Sequence, residues 1–299
     1  MNTTYDIVIL TDKRYLIDSK TNAYVHNVFY EDFLVQEALI NEGFNTLRLA
    51  WDDSNFDWAS TKSVLFRTTW DYFDRFNEFS EWLQQVSQKT KLLNSKYIIN
   101  WNIDKHYLND LKQKKVNVAE TFFIEQGSSL SLKTIHKQLG WNDTVLKPCI
   151  SGAGRHTYKI NKETIDMYEP IYKSLIINES MMLQPFQNNI IIKGEISMIL
   201  IDGIYTHAIL KKAKVGDFRV QDDFGGSVHN YIPTDEEITF AENAIKACPE
   251  LPVYARVDIF TDNDNKIALS ELELIEPELW FRHNPEAANK LAKAIKLKL

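Results

Sequence analysis

The pattern of apolar residues changes along this chain, and the change limits the folds that it can adopt. Over residues 1–95, short β-branched runs alternate with amphipathic segments of helical spacing. The predicted order is a strand at 5–11, a helix at 27–43, a strand at 45–50, a strand that begins at 63, and a helix at 76–90. Because strands that alternate with helices form parallel sheets, we expect residues 1–95 to be a small, doubly wound α/β domain.

The remainder of the chain has a different pattern, in which strands follow one another more closely. Helices are predicted at 104–114, 130–140, 162–176, 235–247 and 285–297, and strands at 117–125, 181–186, 192–213, 219–232, 253–260 and 266–275. Residues 143–160 are predicted to form a strand, a glycine-rich loop and a second strand. The dipeptide Asp202-Gly203 between two apolar runs predicts a hairpin, as does the polar turn at 261–266. We therefore expect a central unit over 96–182 and a mostly antiparallel unit over 183–299.

Composition excludes several classes of protein. With 44% hydrophobic and 25% charged residues, the 299-residue chain has the composition of a folded protein. A net charge of −7 argues against a general affinity for nucleic acid. The two cysteines, Cys149 and Cys248, are too few for a disulfide framework. We find no signal peptide and no run of about 18 uncharged apolar residues, so we expect no membrane partner and a cytoplasmic location.

The clearest local motif is a lysine followed by a glycine-containing loop, in the segment VLKPCISGAGRHTYKI at 145–160. Gly152 and Gly154 let backbone N–H groups approach phosphate oxygens, and Lys147 supplies positive charge. The segment is neither a Walker A loop nor a dinucleotide fingerprint, because it joins strand to strand. An ordinary glycine hairpin with a surface lysine is the alternative.

Three carboxylates lie on two neighbouring predicted strands near the C-terminus. Asp258 falls in the first of these strands, and Glu271 and Glu273 fall in the second. Residues two apart share one face of a strand, so the two glutamates point the same way, and Asp258 joins them if the register permits. Clustered carboxylates repel one another unless a cation lies between them, and hard oxygen ligands favour Mg²⁺ or Mn²⁺. A solvated strand face is the alternative.

Two arginines are candidates for holding an anion. Arg219 lies near glycines and can clamp a phosphate or a carboxylate in a bidentate manner, although a plain surface loop is the simpler interpretation. Arg67 follows a predicted buried strand, and in open α/β sheets ligands bind beyond the carboxyl ends of the strands. Arg67, with Asp71 close behind it, is therefore a candidate substrate site, and an aromatic packing cluster is the alternative.

Together these signals occur in the order found in the ATP-grasp superfamily, which the chain resembles over nearly its whole length. The order is Lys105, Lys147 with its glycine loop, Glu195, Arg219 and the three carboxylates. The segments GDFRVQDDFGG (216–226) and LSELELIEP (269–277) resemble motifs of the glutathione-synthetase-like branch. The segment RTTWDYFDRFNEFSEWL (67–83) is similar to a bacterial subgroup that includes the D-cycloserine-forming ATP-grasp ligases.

The resemblance implies an ATP-grasp fold behind an N-terminal pre-ATP-grasp domain, and it implies roles for the matching residues. The implied nucleotide contacts are Lys105, Lys147, the loop Ser151, Gly152, Ala153 and Gly154, the adenine segment Gln184, Pro185 and Phe186, and Glu195. The implied ligands of Mg²⁺ or Mn²⁺ are Asp258, Glu271 and Glu273, the last standing where Asn is usual. Arg219 and Lys147 are the implied catalytic residues, and Arg219, Arg67 and Asp71 are the candidates for substrate contact.

The resemblance also implies an enzyme, a carboxylate–amine ligase that forms a C–N bond. ATP phosphorylates a substrate carboxylate, an amine attacks the acyl phosphate, and ADP and phosphate are released. The implied partners are ATP, a small-molecule carboxylate and an amine, while a homo-oligomer stays open. Three alternatives also stay open: ATP-dependent cyclisation of a ureido-type amino acid, phosphorylation of a small molecule, and a non-catalytic ATP-binding module.

Overall fold

The computed structural model describes residues 4–214, 216–217, 220 and 225–299, and within them the chain forms three sheets. The N-terminal elements are β1 (Tyr5–Thr11), α1 (Ala23–Asn41), β2 (Thr46–Ala50), β3 (Thr61–Thr68), α2 (Phe76–Val86) and β4 (Lys91–Leu93). Their strands pair in parallel in the order β2–β1–β3–β4. The predicted α/β class is confirmed, and β4 escaped prediction because it is only three residues long.

The parallel sheet is apolar on both faces because a helix covers each of them. Ile7 and Ile9 of β1 belong to the core that contains Val35 of α1, whereas Val8 belongs to the core that contains Phe79 of α2. This explains the continuous apolar run, which is typical of strands buried on both sides. The loops that leave the carboxyl ends of β1 and β3 therefore lie together at one edge of this sheet.

The central elements form a second, antiparallel sheet. They are α3 (Lys96–Asn102), α4 (Tyr107–Gln113), β5 (Phe122–Ile124), α5 (Leu132–Leu139), β6 (Thr144–Pro148), β7 (Tyr158–Ile160), α6 (Ile165–Leu175) and β8 (Met181–Pro185). The strand order is β5–β8–β6–β7. Because β8 pairs along its length with β6, a boundary after residue 182 would divide this strand.

The C-terminal elements form the third sheet, which is also antiparallel. They are α7 (Asn188–Lys193), β9 (Glu195–Ile201), β10 (Ile204–Lys212), β11 (Ser227–Tyr231), α8 (Asp235–Lys246), β12 (Tyr254–Thr261), β13 (Ile267–Glu273) and α9 (Glu286–Lys298). The strand order is β11–β10–β9–β12–β13. The strand predicted at 192–213 was wrong at its start, which is the end of helix α7. Gly194 (φ +88°) separates the two elements, and a Cβ there would lie 2.5 Å from the Lys211 carbonyl oxygen.

The parallel sheet and the C-terminal sheet share one apolar core. Ile7, Val35 and Leu39 on the N-terminal side pack in the same cluster as Ile199 and Leu291. Burial of this shared core holds the first sheet against the third. Among the helices of the described residues, none combines the length and the apolar character needed to span a bilayer.

Candidate active site

A cleft of about 540 Å³ lies where the three sheets meet, and each sheet contributes side chains to its walls. Four of its basic residues, which we call the cationic cluster, are Lys105, Lys147, Lys211 and Arg256. Three aromatic residues from the N-terminal part of the chain, which we call the aromatic wall, are Tyr15, Tyr24 and Trp70. The cleft is therefore charged on one side, where basic residues and carboxylates meet, and aromatic on another.

Lys105 joins the base of the glycine loop to the carboxylates of β13. Its ammonium is buried, lies 2.9 Å from Glu271 Oε1 and donates a hydrogen bond of 2.7 Å to the Ser151 carbonyl oxygen. Burial opposes the charge on Lys105, but the neighbouring Glu271 carboxylate outweighs it, and the pKa of Lys105 is raised. Lys105 thus stays cationic and is directed into the cleft.

Lys147 lines the cleft from β6 without a partner of its own. Considering the residues that the structure describes, its ammonium forms no hydrogen bond or ion pair, although the side chain is half-buried. Burial lowers the pKa of Lys147, with Lys105 acting in the same direction and Glu271 against both. A desolvated lysine that faces a cleft in this way is a candidate anion site.

Lys211 and Arg256 complete the cationic cluster through a shared carboxylate. Lys211 lies 2.7 Å from Glu195 and 3.1 Å from Asp258, and Arg256 lies 2.9 Å from Asp258 and also pairs with Glu273. Burial would raise the pKa of Asp258, but Arg256 and Lys211 bring it down to about 2. Sequence reasoning missed both cations, although Arg256 stands two residues before Asp258 and so shares its strand face.

The register of β12 and β13 brings the three predicted metal ligands to one wall of the cleft. Asp258 stands opposite Glu271, and Arg256 stands opposite Glu273. Burial raises the pKa of Glu273 to about 8, although Arg256 opposes the shift. The donor chemistry of these hard oxygens suits a divalent cation.

The three carboxylates are not equally available to a metal. Side-chain exposure is 28% for Glu271 and 25% for Glu273, but only 3% for Asp258. Asp258 also accepts a hydrogen bond of 2.6 Å from Ser197 Oγ. Glu271 and Glu273 therefore fit the role of metal ligand better in this conformation, and Asp258 holds the cationic cluster together.

A different trio, Asp104, His106 and Cys149, is the group among the described residues whose three ligand atoms lie within 4.8 Å of one another. Cys149 is only 1% exposed, and burial raises the pKa of its thiol. Because a metal ligand must be the thiolate, this trio suits packing better than metal binding.

The glycine loop rests against the N-terminal part of the chain. A Cβ on Gly152 would lie 2.6 Å from the ring of Phe73, so only glycine allows this contact without a shift of the ring. Arg155 pairs with both oxygens of Glu179 at 2.8 and 3.0 Å and lies 3.4 Å from Asp74. The loop therefore closes one side of the cleft.

The predicted adenine segment lines the cleft at the end of β8. Gln184, Pro185 and Phe186 all contribute to its wall. The Gln184 side-chain amide donates a hydrogen bond of 2.8 Å to Thr121 Oγ1, and the Lys159 ammonium lies 3.5 Å from the centre of the Phe186 ring. These side chains form a flat, partly apolar surface of the kind that a nucleobase can stack against.

Two predicted substrate residues are not in the cleft, and their assignment is corrected. Arg67 is fully buried, with its guanidinium 2.7 Å from Glu31 and 3.7 Å from Asp32. Asp71 accepts a hydrogen bond of 2.7 Å from the Trp51 indole and pairs with Arg75 at 2.8 Å. Both side chains are already engaged, so they support the wall rather than meet a ligand. Arg219, the third substrate candidate, lies outside the described residues.

The aromatic wall, and not Arg67, lines the part of the cleft that lies beyond the strands of the parallel sheet. Tyr15 contacts Trp70 edge-on with ring centres 5.5 Å apart, and Tyr24 lies 6.4 Å from the same ring. The Trp70 indole N–H donates a hydrogen bond of 2.8 Å to the Glu276 carbonyl oxygen. The rule that ligands bind beyond strand ends would have drawn attention to Tyr15, which follows β1.

Comparison with known proteins shows that the chain is similar to the cycloserine biosynthesis protein DcsG. A family model described as the N-terminal domain of the D-cycloserine synthetase DcsG matches residues 7–94. The cycloserine biosynthesis protein DcsG of Streptomyces lavendulae is 27% identical over 280 residues, which cover 87% of this chain and 90% of the relative.

Two solved structures are also similar to this chain. The crystal structure of D-cycloserine synthetase DcsG superposes with a TM-score of 0.86 at 25% identity, over 98% of this chain and 99% of that one. The ATP-grasp ligase PsnB, solved with a phosphomimetic variant of its minimal precursor, Mg and ADP, has a TM-score of 0.64 at 15% identity over 99% of both chains. The second likeness concerns the fold alone.

Proposed function

Since this chain belongs to the ATP-grasp superfamily and is an ATP-dependent ligase, we propose that its cleft activates a substrate carboxylate as an acyl phosphate for attack by an amine. The observation that carries the proposal is the meeting of two lysines and three carboxylates in one cleft. Lys105 and Lys147 come from the central part, and Asp258, Glu271 and Glu273 come from the C-terminal sheet. That combination suits the neutralisation and positioning of a polyphosphate.

The proposed binding mode assigns one end of ATP to each group of residues. The adenine base lies against Gln184, Pro185 and Phe186, and the phosphates extend to Lys105 and Lys147. The loop at 151–154 covers the phosphates and offers backbone N–H groups to their oxygens. Glu195 is proposed to lie near the ribose. Its ion pair with Lys211 at 2.7 Å would hold the Glu195 side chain in that position.

A divalent cation is part of the proposal, with Mg²⁺ favoured because the available donors are hard oxygens. Glu271 and Glu273 would hold it, with Asp258 behind them. When bound, such an ion neutralises phosphate charge and orients the transferred group. For Glu273 to bind the cation, its ion pair with Arg256 must break. For Lys105 to contact the phosphates, its ion pair with Glu271 must break as well.

The proposed reaction requires no nucleophile from the protein. A substrate carboxylate oxygen attacks the terminal phosphorus of ATP, the bond to the bridging oxygen breaks, and ADP leaves. Lys147 stabilises the charge that develops on the transferred phosphoryl group, and Arg219 is predicted to do the same. An amine then attacks the acyl carbon, phosphate leaves, and the amine gives up a proton. The enclosing loop excludes water, which would otherwise hydrolyse the acyl phosphate.

A second candidate is the intramolecular version of the same chemistry, in which carboxylate and amine belong to one ureido-type amino acid. The observation in its favour is the likeness to D-cycloserine synthetase DcsG, whose family model matches residues 7–94. This region supplies the aromatic wall, which lies where an acceptor would bind. A cyclising substrate needs a single acceptor pocket, and the cleft of about 540 Å³ has room for one nucleotide and one small molecule.

The experiment is ADP release with Mg²⁺ and ATP across pools of amino acids, small carboxylates and ureido amino acids, followed by mass spectrometry of each active pool. We expect at least one pool to stimulate ADP release and to yield a product lighter than its reactants by one water. A single reactant that is sufficient would indicate cyclisation, and a required amine would indicate ligation. ADP release with a phosphorylated product and no amine requirement would contradict both.

A further inference from the structure

Glu276 differs from the other acidic residues of the cleft. It follows β13 by three residues, lines the cleft and is half-buried. Within the described part of the chain, the other acidic side chains of the cleft all have a cationic side chain within 4 Å. These pairs are Asp74 with Arg155, Glu195 and Asp258 with Lys211, Glu271 with Lys105, Glu273 with Arg256, and Glu278 with Arg282. Glu276 has no such pair among these residues.

The surroundings hold Glu276 in place without neutralising it. The Trp70 indole N–H fixes its backbone by a hydrogen bond of 2.8 Å to the carbonyl oxygen, and the buried Tyr72 hydroxyl hydrogen-bonds to its carboxyl group. Burial raises the pKa of Glu276 to about 7, and the Tyr72 hydrogen bond and the charge of Lys105 oppose this shift only in part. A fixed, desolvated carboxylate that lacks a cation is suited to receiving one from a ligand.

The neighbours of Glu276 also favour a cation. Trp70 joins Glu276 to the aromatic wall, and aromatic faces attract ammonium groups. Lys105 and Glu271 line the same cleft as Glu276. One small molecule can therefore reach both Glu276 and the site of phosphoryl transfer.

We propose that Glu276 binds the ammonium group of an amino-acid substrate whose own carboxylate is the one activated. This inference rests on the proposed function, and it narrows the substrate from any small carboxylate to an α-amino acid or its derivative. The carboxylate of that substrate points to the cationic cluster, and its ammonium group points to Glu276 beside Trp70. Glu276 is then a substrate-binding residue that takes no part in phosphate chemistry.

The test compares matched pairs of compounds that differ only in the amino group. The probes are D- and L-alanine against propionate, D- and L-serine against 3-hydroxypropionate, and each active ureido amino acid against its deaminated analogue. ADP release gives kcat and KM. Tryptophan fluorescence in the presence of ADP gives binding without turnover, because Trp70 and Trp280 line the cleft. The proteins are the unmodified chain, Glu276→Gln, and the surface control Glu236→Gln, which loses the same charge from the exposed face of α8.

We expect the unmodified chain to use or bind amino acids and to ignore their deaminated partners. Glu276→Gln should raise KM for the amino acid roughly ten- to a hundredfold, the loss expected for one charge-assisted hydrogen bond, while KM for ATP stays within about twofold. Glu236→Gln should match the unmodified chain. Retention of ADP binding by Glu276→Gln would show that the variant is folded.

The two proposals fail in different ways. If deaminated acids are turned over as well as amino acids, or if Glu276→Gln leaves KM for the amino acid unchanged, the inference is overturned and the ligase activity stands. If no compound stimulates ADP release or perturbs fluorescence, the proposed function and the inference are overturned together.

Discussion

The two sides of the cleft differ in how their charged side chains are balanced. In the cationic cluster, Lys105, Lys211 and Arg256 are paired with carboxylates at 2.7–3.1 Å, so the charges of these three residues are balanced before any ligand arrives. Beside the aromatic wall, Glu276 carries a carboxylate that no described cation balances. Under the proposed function, the difference means that the first side is prepared for a constant ligand, the nucleotide, and that the second side is completed by the substrate.

The supports of the two sides differ as well. The carboxylates of the cationic cluster stand on β9, β12 and β13, where strand pairing fixes their register. Tyr15, Trp70 and Glu276 stand on the segments that follow β1, β3 and β13, and Tyr24 stands in the first turn of α1, so all of them can vary without disturbing a sheet. Substitutions on the first side should therefore affect nucleotide chemistry, and those on the second side should affect substrate choice.

The largest effect is expected behind the aromatic wall, for Arg67→Met. Loss of the guanidinium leaves Glu31 and Asp32 buried beside each other with one cation fewer. The free energy of unfolding should fall by about 3–5 kcal/mol, as when one partner of a buried ion pair is removed. Chemical denaturation followed by fluorescence measures it, with Lys62→Met as a matched control at the exposed pair with Asp6. A stable variant with a raised KM for the substrate would restore Arg67 as a substrate anchor.

The next effect concerns the chemistry of the cationic cluster. Glu271→Gln keeps the shape of the side chain but removes the charge that holds Lys105 and that would hold the metal. The value of kcat should fall roughly 10²- to 10³-fold, the usual loss when one electrostatic contact to the transition state is removed. ADP release is the readout, and an unchanged circular dichroism melting curve is the control for folding. Activity near that of the unmodified chain would refute the metal assignment.

Lys147→Met should weaken ATP binding roughly ten- to a hundredfold, because an unpaired ammonium is lost from the cleft. Burial lowers the pKa of Lys147, so its positive charge is present below that pKa and is lost as pH rises through it. The affinity of the unmodified chain for ATP should therefore fall at a lower pH than an ordinary lysine near pKa 10.4 would allow. Calorimetric titrations at several pH values would show it. An identical pH profile in Lys147→Met would assign the dependence to another group.

The smallest effect is expected within the aromatic wall. Trp70→Phe keeps an aromatic face but removes the hydrogen bond of 2.8 Å to the Glu276 carbonyl oxygen. KM for the substrate should rise about two- to tenfold, as for one neutral hydrogen bond, while KM for ATP is unchanged. Steady-state kinetics in both substrates measures the split. Equal changes in both KM values would mean that the two sides of the cleft are not independent.

The sequence allowed one side of the cleft to be predicted far better than the other. Lys147 was found because it precedes a glycine loop that is local in sequence, and Glu271 and Glu273 because strand residues two apart share a face. Lys105 came only from the resemblance to the ATP-grasp superfamily. The register that sets Asp258 opposite Glu271 could be stated only as a condition until the sheet was seen. The fold class followed from the same local patterns, since apolar periodicity identifies elements well.

The aromatic wall could not be predicted in this way, because it depends on contacts between distant segments. Trp70 meets Glu276 across 206 residues of sequence, and no local pattern encodes that meeting. Arg67 was misassigned for a related reason. Its partners Glu31 and Asp32 lie on helix α1, where acidic residues usually face solvent, and only the packing of α1 against the sheet buries them.

The most direct test of the central claim is the fate of oxygen during turnover. An active substrate labelled with ¹⁸O in its carboxylate is incubated with the protein, Mg²⁺ and ATP, and the released phosphate is analysed by mass spectrometry. If the carboxylate is activated as an acyl phosphate, one ¹⁸O atom appears in phosphate for each product molecule formed. If the phosphate carries no ¹⁸O while product accumulates, the carboxylate is not phosphorylated and the account is wrong.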